Sequence, residues 1–270
     1  MNNQIKITIL ISSCDKFSDT WDIVTNSIQK YWLDCPFQIK IITNKKDYNN
    51  GSVRSLKIGE DISWSSNLIK AVKSTDADYV FMWLDDVFLS DFIDNYKINE
   101  IINFLETNSP AFLRIRPNPK PDKIIKENFG IIFPESLFYR VSIFASFWRR
   151  DALIDLLKEE ESAWQFELEG SKRSSKYKDF YVYTQKVFDY IHGIEKGKWK
   201  ADAVKWLNKN NYKVDFSTRK IMSNASFVIY FIGYFKNLLI NLFPGKYRHK
   251  VVRCFQKFYV LIGLREKTSF

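Results

Sequence analysis

The chain has 270 residues, a formal net charge of +10 and 46% hydrophobic residues, which is the composition of a folded globular protein and argues against disorder. Its three cysteines (Cys14, Cys35 and Cys254) are scattered and form no C-x-x-C, so a disulfide framework and a cysteine zinc site are both disfavoured and a reducing cytosol fits best. Only His192 and His249 are present, which excludes any three-histidine site, and no G-x-S-x-G stands near either.

In chain order, the opening "MNNQIKITILISSCDK" lacks a basic n-region followed by a small-residue cleavage site, so it is expected to be a first strand and not a signal peptide. Ile5–Ser12 is an apolar run ending in polar residues, as a buried parallel strand would. Asp19 and Asp22 then open a predicted helix with Ile23, Val24, Ile28 and Tyr31 along one face. "FQIKIITN" predicts a second strand, ending in Thr43 and Asn44. "SSNLIKAVKST" predicts a short helix feeding a strand over Tyr79–Leu84, which runs directly into Asp85 and Asp86. A helix over "INEIINFLETN", stopped by Ser109-Pro110, precedes the strand "AFLRIR". The alternation of strand and helix predicts an α/β layered sheet.

Beyond it, "SLFYRVSIFASFWRRDALIDLLKEEES" reads as one or two strands and then a helix starting near Arg150. A short helix "AWQFELEG", a polar basic loop "SKRSSKYKD", a strand "FYVYT" and a helix "WKADAVKWLNKN" follow. From Arg219 onward ten basic residues face one acid, so the first 218 residues are nearly neutral and the chain divides into parts with different partners. The expected division is a domain over 1–218 and a basic, apolar, helical appendage over 219–270.

Two adjacent carboxylates at the end of a buried strand repel each other and are costly to bury unpaired. They could simply open a turn or cap a helix, with their charges solvated. Ligands of open α/β sheets, however, bind beyond the carboxyl ends of the strands. Ser12, Ser13, Thr43, Asn44, Asp85 and Asp86 would face one such crevice. Hydroxyl and amide groups suit a base and ribose, and a carboxylate pair suits a hard divalent cation carrying a diphosphate. No Walker A loop and no G-x-G-x-x-G is present to cradle phosphate; "GIEKGKW" is a residue short and lacks the Ser or Thr.

The stretch "ISWSSNLIKAVKSTDADYVFMWLDD", after a first strand ending in small polar residues, resembles the nucleotide-sugar half of GT-A-fold glycosyltransferases. "ASFWRRDALIDLLKEEESAWQFELEGSKRS" resembles the acceptor side of glycosyltransferases of bacterial capsule and lipopolysaccharide biosynthesis, with its aromatic/arginine strand, helix and W-x-x-E segment. The resemblance covers roughly Ile5 to Phe216. It implies one GT-A-like domain with a central mixed, mostly parallel sheet and a nucleotide-sugar donor, with UDP- or GDP-sugar expected. It also implies Mn²⁺ or Mg²⁺ held at a D-x-D-type motif. Here that motif is Asp-Asp-Val, so Asp86 is the expected direct metal ligand, and Asp85 is placed with the donor-binding residues.

Inverting transfer needs a base for the acceptor hydroxyl. Glu167 is the first candidate and Glu161 the second, with Trp164 to pack on an acceptor sugar, or the segment is an ordinary amphipathic helix with solvated glutamates. His192 could complete the metal shell or be a half-buried histidine bonded to backbone. Lys198 could neutralise the leaving diphosphate or be one surface lysine among many. Arg114, Arg116 and Arg173 carry weaker signals. No RRM, KH or zinc-finger signature indicates nucleic acid.

The tail joins an apolar run, Phe227–Phe243, too short and too interrupted to span a bilayer, to a basic amphipathic stretch after Pro244-Gly245. This pattern predicts a peripheral element on an anionic cytoplasmic membrane face, where a lipid-linked oligosaccharide acceptor would lie. The alternatives are tail helices packed on the domain, a non-catalytic nucleotide-binding membrane-surface module, and a nucleotidyltransferase.

Overall fold

A computed structural model describes residues 5–222 and 238–261 of the chain. Its centre is β1 (Ile7–Ser12), buried at every position and flanked by parallel partners on both sides. These are β2 (Gln38–Thr43) and β5 (Tyr79–Leu84). Side chains alternate across a strand, so a strand buried on both faces must be apolar on both. Ile7, Ile9, Ile11, Tyr79, Phe81 and Trp83 enter one core, and Leu10, Val80 and Met82 enter the other. Helices α1 (Trp21–Tyr31) and α3 (Asn95–Asn108) cover the first face, and α2 (Trp64–Lys73) and α4 (Arg150–Leu156) cover the second. Ser63 caps α2 by accepting from Ser66 N, and Asp94 caps α3 through Tyr96 N and Lys97 N.

The sheet has ten strands in the order β3-β4-β2-β1-β5-β10-β7-β11-β9-β8. Among the remaining members, β3 is Asn49–Asn50, β4 Val53–Lys57, β7 Phe112–Arg114, β8 Lys123–Lys126, β9 Phe129–Ile131, β10 Ser146–Arg149 and β11 Phe180–Tyr183. β4, β2, β1 and β5 run parallel, whereas β10 is antiparallel to both β5 and β7. Phe147 lies directly opposite Phe81, their rings stacked 4.4 Å apart, an aromatic cross-strand pair worth about 0.5–1 kcal/mol beyond its burial. That register places Met82, Ser146 and Arg114 in one row, so the ends of β5 and β7 overhang the same sheet edge.

The fold is thus the predicted α/β sheet, mixed and mostly parallel. Several local expectations differ. Of 136–149 only Ser146–Arg149 is a strand, because Arg140 ties the preceding segment to carbonyls of Phe133, Ile132, Ser174 and Tyr177. The predicted polar loop after Gly170 is instead helical, with buried Ser171 and Ser174 hydroxyls bonded inward. β6 (Val87–Leu89) and β12 (Tyr190–His192) form a separate two-stranded sheet. β13 (Ile194–Glu195) and β14 (Lys198–Trp199) form a hairpin.

The core domain extends past residue 218. Arg219 pairs with Asp19, and Trp199 exchanges backbone hydrogen bonds with Lys220 and Met222. The expected apolar run over 227–243 falls mostly outside the described residues. Residues 238–242 are helical, and a last helix spans Gly245–Leu261. This segment docks on the loop around Lys120: Ile240 is buried, Asn241 Oδ1 accepts from Lys120 N, and buried Arg248 donates to Lys120 O. A Cβ at Gly245 would lie 2.1 Å from Asp122 Oδ1, so the helix start approaches as closely as it does only because that residue is glycine. Packing on the domain, the alternative weighed for the tail, therefore holds at its root. Its outer face is Leu238, Leu242 (69% exposed), Phe243 and Tyr247, beside exposed Lys246, Lys250 and Arg253.

Candidate active site

Asp85 and Asp86 form the two-residue turn between β5 and β6, closed by Trp83 Nε1 donating to Val87 O at 2.9 Å. The turn reading is thus geometrically correct, yet the residues also border a cavity of about 470 Å³ off the carboxyl edge of the sheet. Its wall includes Ser12, Ser13, Phe17, Asp61, Trp64 and Lys196 as well as the two aspartates. The size is that of a small-ligand site.

Ser13 Oγ donates to Asp85 Oδ2 at 2.5 Å and accepts from Trp21 Nε1, while Ser12 Oγ accepts from Trp64 Nε1. Burial pushes the Asp85 carboxyl up to about 7 despite the Ser13 hydrogen bond, with Asp86 beside it adding to the effect. Burial likewise pushes Asp86 up to about 6. The cation whose attraction lowers both is Arg219, but its guanidinium is already held by Asp19 through contacts of 2.6 and 2.9 Å. Asp61, Asp85 and Asp86 border the cavity with Lys196, and among the described residues none of the three carboxyls forms an ion pair, since Arg219 is held by Asp19. That donor set fits a hard divalent cation, bound through one or two carboxylates with the rest of its shell from phosphate and water. Among the described residues no three His, Cys, Asp or Glu side chains converge, and Asp85 and Asp86 are the adjacent pair that could hold such an ion.

His192 does not join the pair. Its strand brings Gly193 N to Asp86 O at 2.7 Å, but its ring packs against Tyr190 and Phe144. Burial, and then Arg116, push it down to about 4, which keeps it neutral. Thr43 and Asn44 do not line the cavity. Asn44 is engaged with Asp15, whose carboxyl takes N–H bonds from Asn44, Lys45 and Lys46. Thr43 Oγ1 and Asn44 Nδ2 are buried without partners one strand over from Ser12. Lys198 is exposed on β14 opposite Glu195. The lysine at the cavity is Lys196, set there because Lys196 and Gly197 form the hairpin turn with φ of 49° and 73°.

A second cavity, of about 290 Å³, opens on the same edge and is bordered by Arg114, Arg116, Asn118, Ser142, Glu167 and Asn241. Strands lie about 4.8 Å apart, so the ends of β5 and β7, with β10 between them, are about 10 Å apart. Glu167 sits in a π-helical turn (Phe166–Gly170); its Oε1 accepts from Ile143 N at 3.1 Å, and its Oε2 takes no bond from the described protein. Burial pushes its carboxyl up to about 7, against the pull of the Ile143 N–H, Arg116 and Arg114.

Glu161 is not beside it. It precedes the capping box Ser162/Gln165 that starts the helix, and it forms a fork-to-fork pair with Arg173 at 2.6 and 2.7 Å. Trp164 is 45% exposed and borders neither of these two cavities. The expected face of Glu161, Trp164 and Glu167 therefore does not form, because the helix begins after Glu161 and turns π before Glu167. Residues the sequence did not rank highly, Arg114, Arg116, Lys196 and Arg219, border these cavities or pair beside them. The alternating charges of "RIR" at a strand end and the Lys-Gly turn were the available signals.

No family model matches the chain, and no curated protein matches it in sequence. In structure it is similar to S. aureus TarS 1-349, with a TM-score of 0.50 and 15% identity, over 69% of this chain and 60% of that one. The same TarS fragment in complex with UDP gives a TM-score of 0.50 at 14% identity, with the same coverage. The chain thus spans 60% of the length of these neighbours. What is shared at this identity is the fold, a GT-A-like mixed α/β sheet.

Proposed function

We propose that the protein is a nucleotide-sugar-dependent glycosyltransferase that moves a sugar from a nucleoside diphosphate to a glycan acceptor with inversion. The observation that carries this reading is the aspartate pair, two carboxylates short of counter-charge at a strand end beside a ligand-sized cavity. Mn²⁺ or Mg²⁺ bound by Asp86 and Asp85 would offset charge on the leaving diphosphate. Ser13 orients Asp85, Trp64 orients the Ser12 hydroxyl, and exposed Lys196 offers a cation to phosphate oxygens. Glu167, anchored through Oε1, lines the second cavity, where its carboxylate can take the proton of an acceptor hydroxyl. The likeness to a fold that binds UDP in TarS supports a UDP donor. Calorimetric titration with UDP is expected to give binding that needs Mn²⁺; absence of metal-dependent binding to UDP, GDP, CDP and ADP would remove the donor and with it the reading.

The acceptor is proposed to be a lipid-linked oligosaccharide of capsule or lipopolysaccharide type, met at an anionic cytoplasmic membrane surface. The exposed apolar and basic outer face of the docked tail supports this, and no helix among the described residues is long and apolar enough to cross a membrane. Full-length protein is expected to float with anionic vesicles and only partly dissociate in high salt. Equal flotation with neutral vesicles would eliminate the electrostatic part.

A further inference from the structure

The second cavity carries a charge pattern that glycosyl transfer to a neutral sugar does not explain. Two guanidinium groups face one carboxylate there. Arg114 is 3% exposed, and its N–H groups go to the carbonyls of Arg116, Tyr139 and Pro119, at 3.1, 3.1 and 2.5 Å. It is fixed as a cation with no acid partner. Burial lowers its proton affinity first, and the neighbouring Arg116 charge lowers it further. Arg116 is held differently. Its guanidinium lies 5.2 Å from the Phe144 ring centre and 5.4 Å from that of Tyr190. Among the described residues it makes no hydrogen bond and no ion pair. A guanidinium placed over aromatic rings keeps its N–H donors available around its rim. Two adjacent cations, one spent on carbonyls and one with open donors, are costly to keep together unless an anion joins them.

We infer that the acceptor carries an oxyanion, a phosphate or a carboxylate, and that Arg116, backed by the fixed charge of Arg114, binds it in the second cavity. The inference rests on the transferase reading for the word acceptor, but the anion site stands or falls by itself. The fork of Arg116 matches two oxygens of a phosphate or carboxylate. Asn118, whose Oδ1 accepts from Asn241 Nδ2, has its Nδ2 left as a neutral donor on the same wall. The arrangement also answers a problem that an anionic acceptor poses for its own base. Such a group would repel the Glu167 carboxylate, and the two arginines offset that repulsion.

The test needs neither donor nor turnover. With metal removed by chelator the aspartate cavity repels anions, so inorganic phosphate reports on the arginine cavity. At constant ionic strength and a tenfold excess over Kd, phosphate is expected to raise the Tm of the full-length protein by about 3–5 °C. Arg116→Gln is expected to lose most of that shift and Arg116→Lys to keep part of it. An equal shift with acetate identifies a carboxylate-bearing acceptor, and a shift with phosphate alone a phosphate-bearing one. An unchanged phosphate shift in Arg116→Gln, or no shift with either anion in the wild type, overturns the inference. If Arg116→Gln melts too low to titrate, phenylglyoxal modification of Arg116 in the wild type decides instead. Protection by phosphate is expected, and unprotected modification overturns the site. Failure of UDP binding alone would overturn the transferase reading and leave the anion site in place.

Discussion

The two cavities share one sheet edge and carry opposite charge. The one at the end of β5 has an excess of carboxylates; the one at the end of β7 has an excess of guanidinium groups. Each holds its excess close to protein of low polarity, which raises Asp85, Asp86 and Glu167 and lowers Arg114. Unpaired buried charge destabilises a fold, and the ligands proposed above, a cation with its diphosphate in one cavity and an oxyanion in the other, would each offset it. About 10 Å of sheet separates them, which keeps the charges from simply pairing with each other.

The largest effect that would break this contrast is at the acidic end. Asp86→Ala is expected to reduce turnover of donor by at least about 10³-fold, on the order of 4 kcal/mol, and to weaken UDP binding only when Mn²⁺ is present. Donor hydrolysis measured without acceptor checks it, and a variant within tenfold of wild type would mean that the carboxylate pair is structural.

At the other end, Glu167→Gln is expected to lower kcat by about 10²–10⁴-fold with donor binding intact. A base acts only when ionised, and this carboxyl titrates near 7, so the wild-type rate should fall about tenfold per unit below that pH and level off above it. Glu161→Gln supplies the contrast. It removes one partner of the Arg173 pair, so it should cost about 1–3 kcal/mol of stability and leave the pH profile of kcat in place. A rate lost in Glu161→Gln and kept in Glu167→Gln would move the base and dissolve the role given to the second cavity.

The acidic end was legible in the sequence and the basic end was not, for a physical reason. A strand buried on both faces must be a continuous apolar run, so β1, β2 and β5 announce themselves, and the polar residues that end β1 and β5 border the first cavity, whereas Thr43 and Asn44 at the end of β2 do not. Asp85 and Asp86 follow by position. The second cavity depends instead on where an antiparallel strand enters, on Arg140 tying the loop before it, and on a π turn that re-aims Glu167. None of these has a local pattern. Glu161 stood as the second candidate base behind Glu167, and an arginine twelve residues on, Arg173, holds it away from the cavity. Arg219 reaches Asp19 across 200 positions of sequence, so a boundary drawn from charge composition passes directly before it.

The smallest predicted effect bears on whether the acidic cavity is under strain. Asp85 titrates near 7 in the fold, raised chiefly by burial, and near 3.8 when unfolded. Between those values the folded state binds a proton more tightly than the unfolded chain does. The stability this group contributes is therefore complete below about pH 4 and is lost as pH rises toward 7. Asn cannot ionise, so in chelator Asp85→Asn should match the wild type at pH 4 and exceed it above pH 7. The full shift would correspond to about 4 kcal/mol, but the carboxyl borders a cavity open to water, so a gain of about 1 kcal/mol is expected. For a chain of this size that is a rise of about 2–4 °C in Tm. Mn²⁺ should then reverse the order, because only the wild type retains both carboxylates to bind it. If Asp85→Asn is instead the less stable protein at pH 8 in chelator, the Arg219 charge already satisfies the pair. The acidic cavity would then have no deficit for a cation to fill.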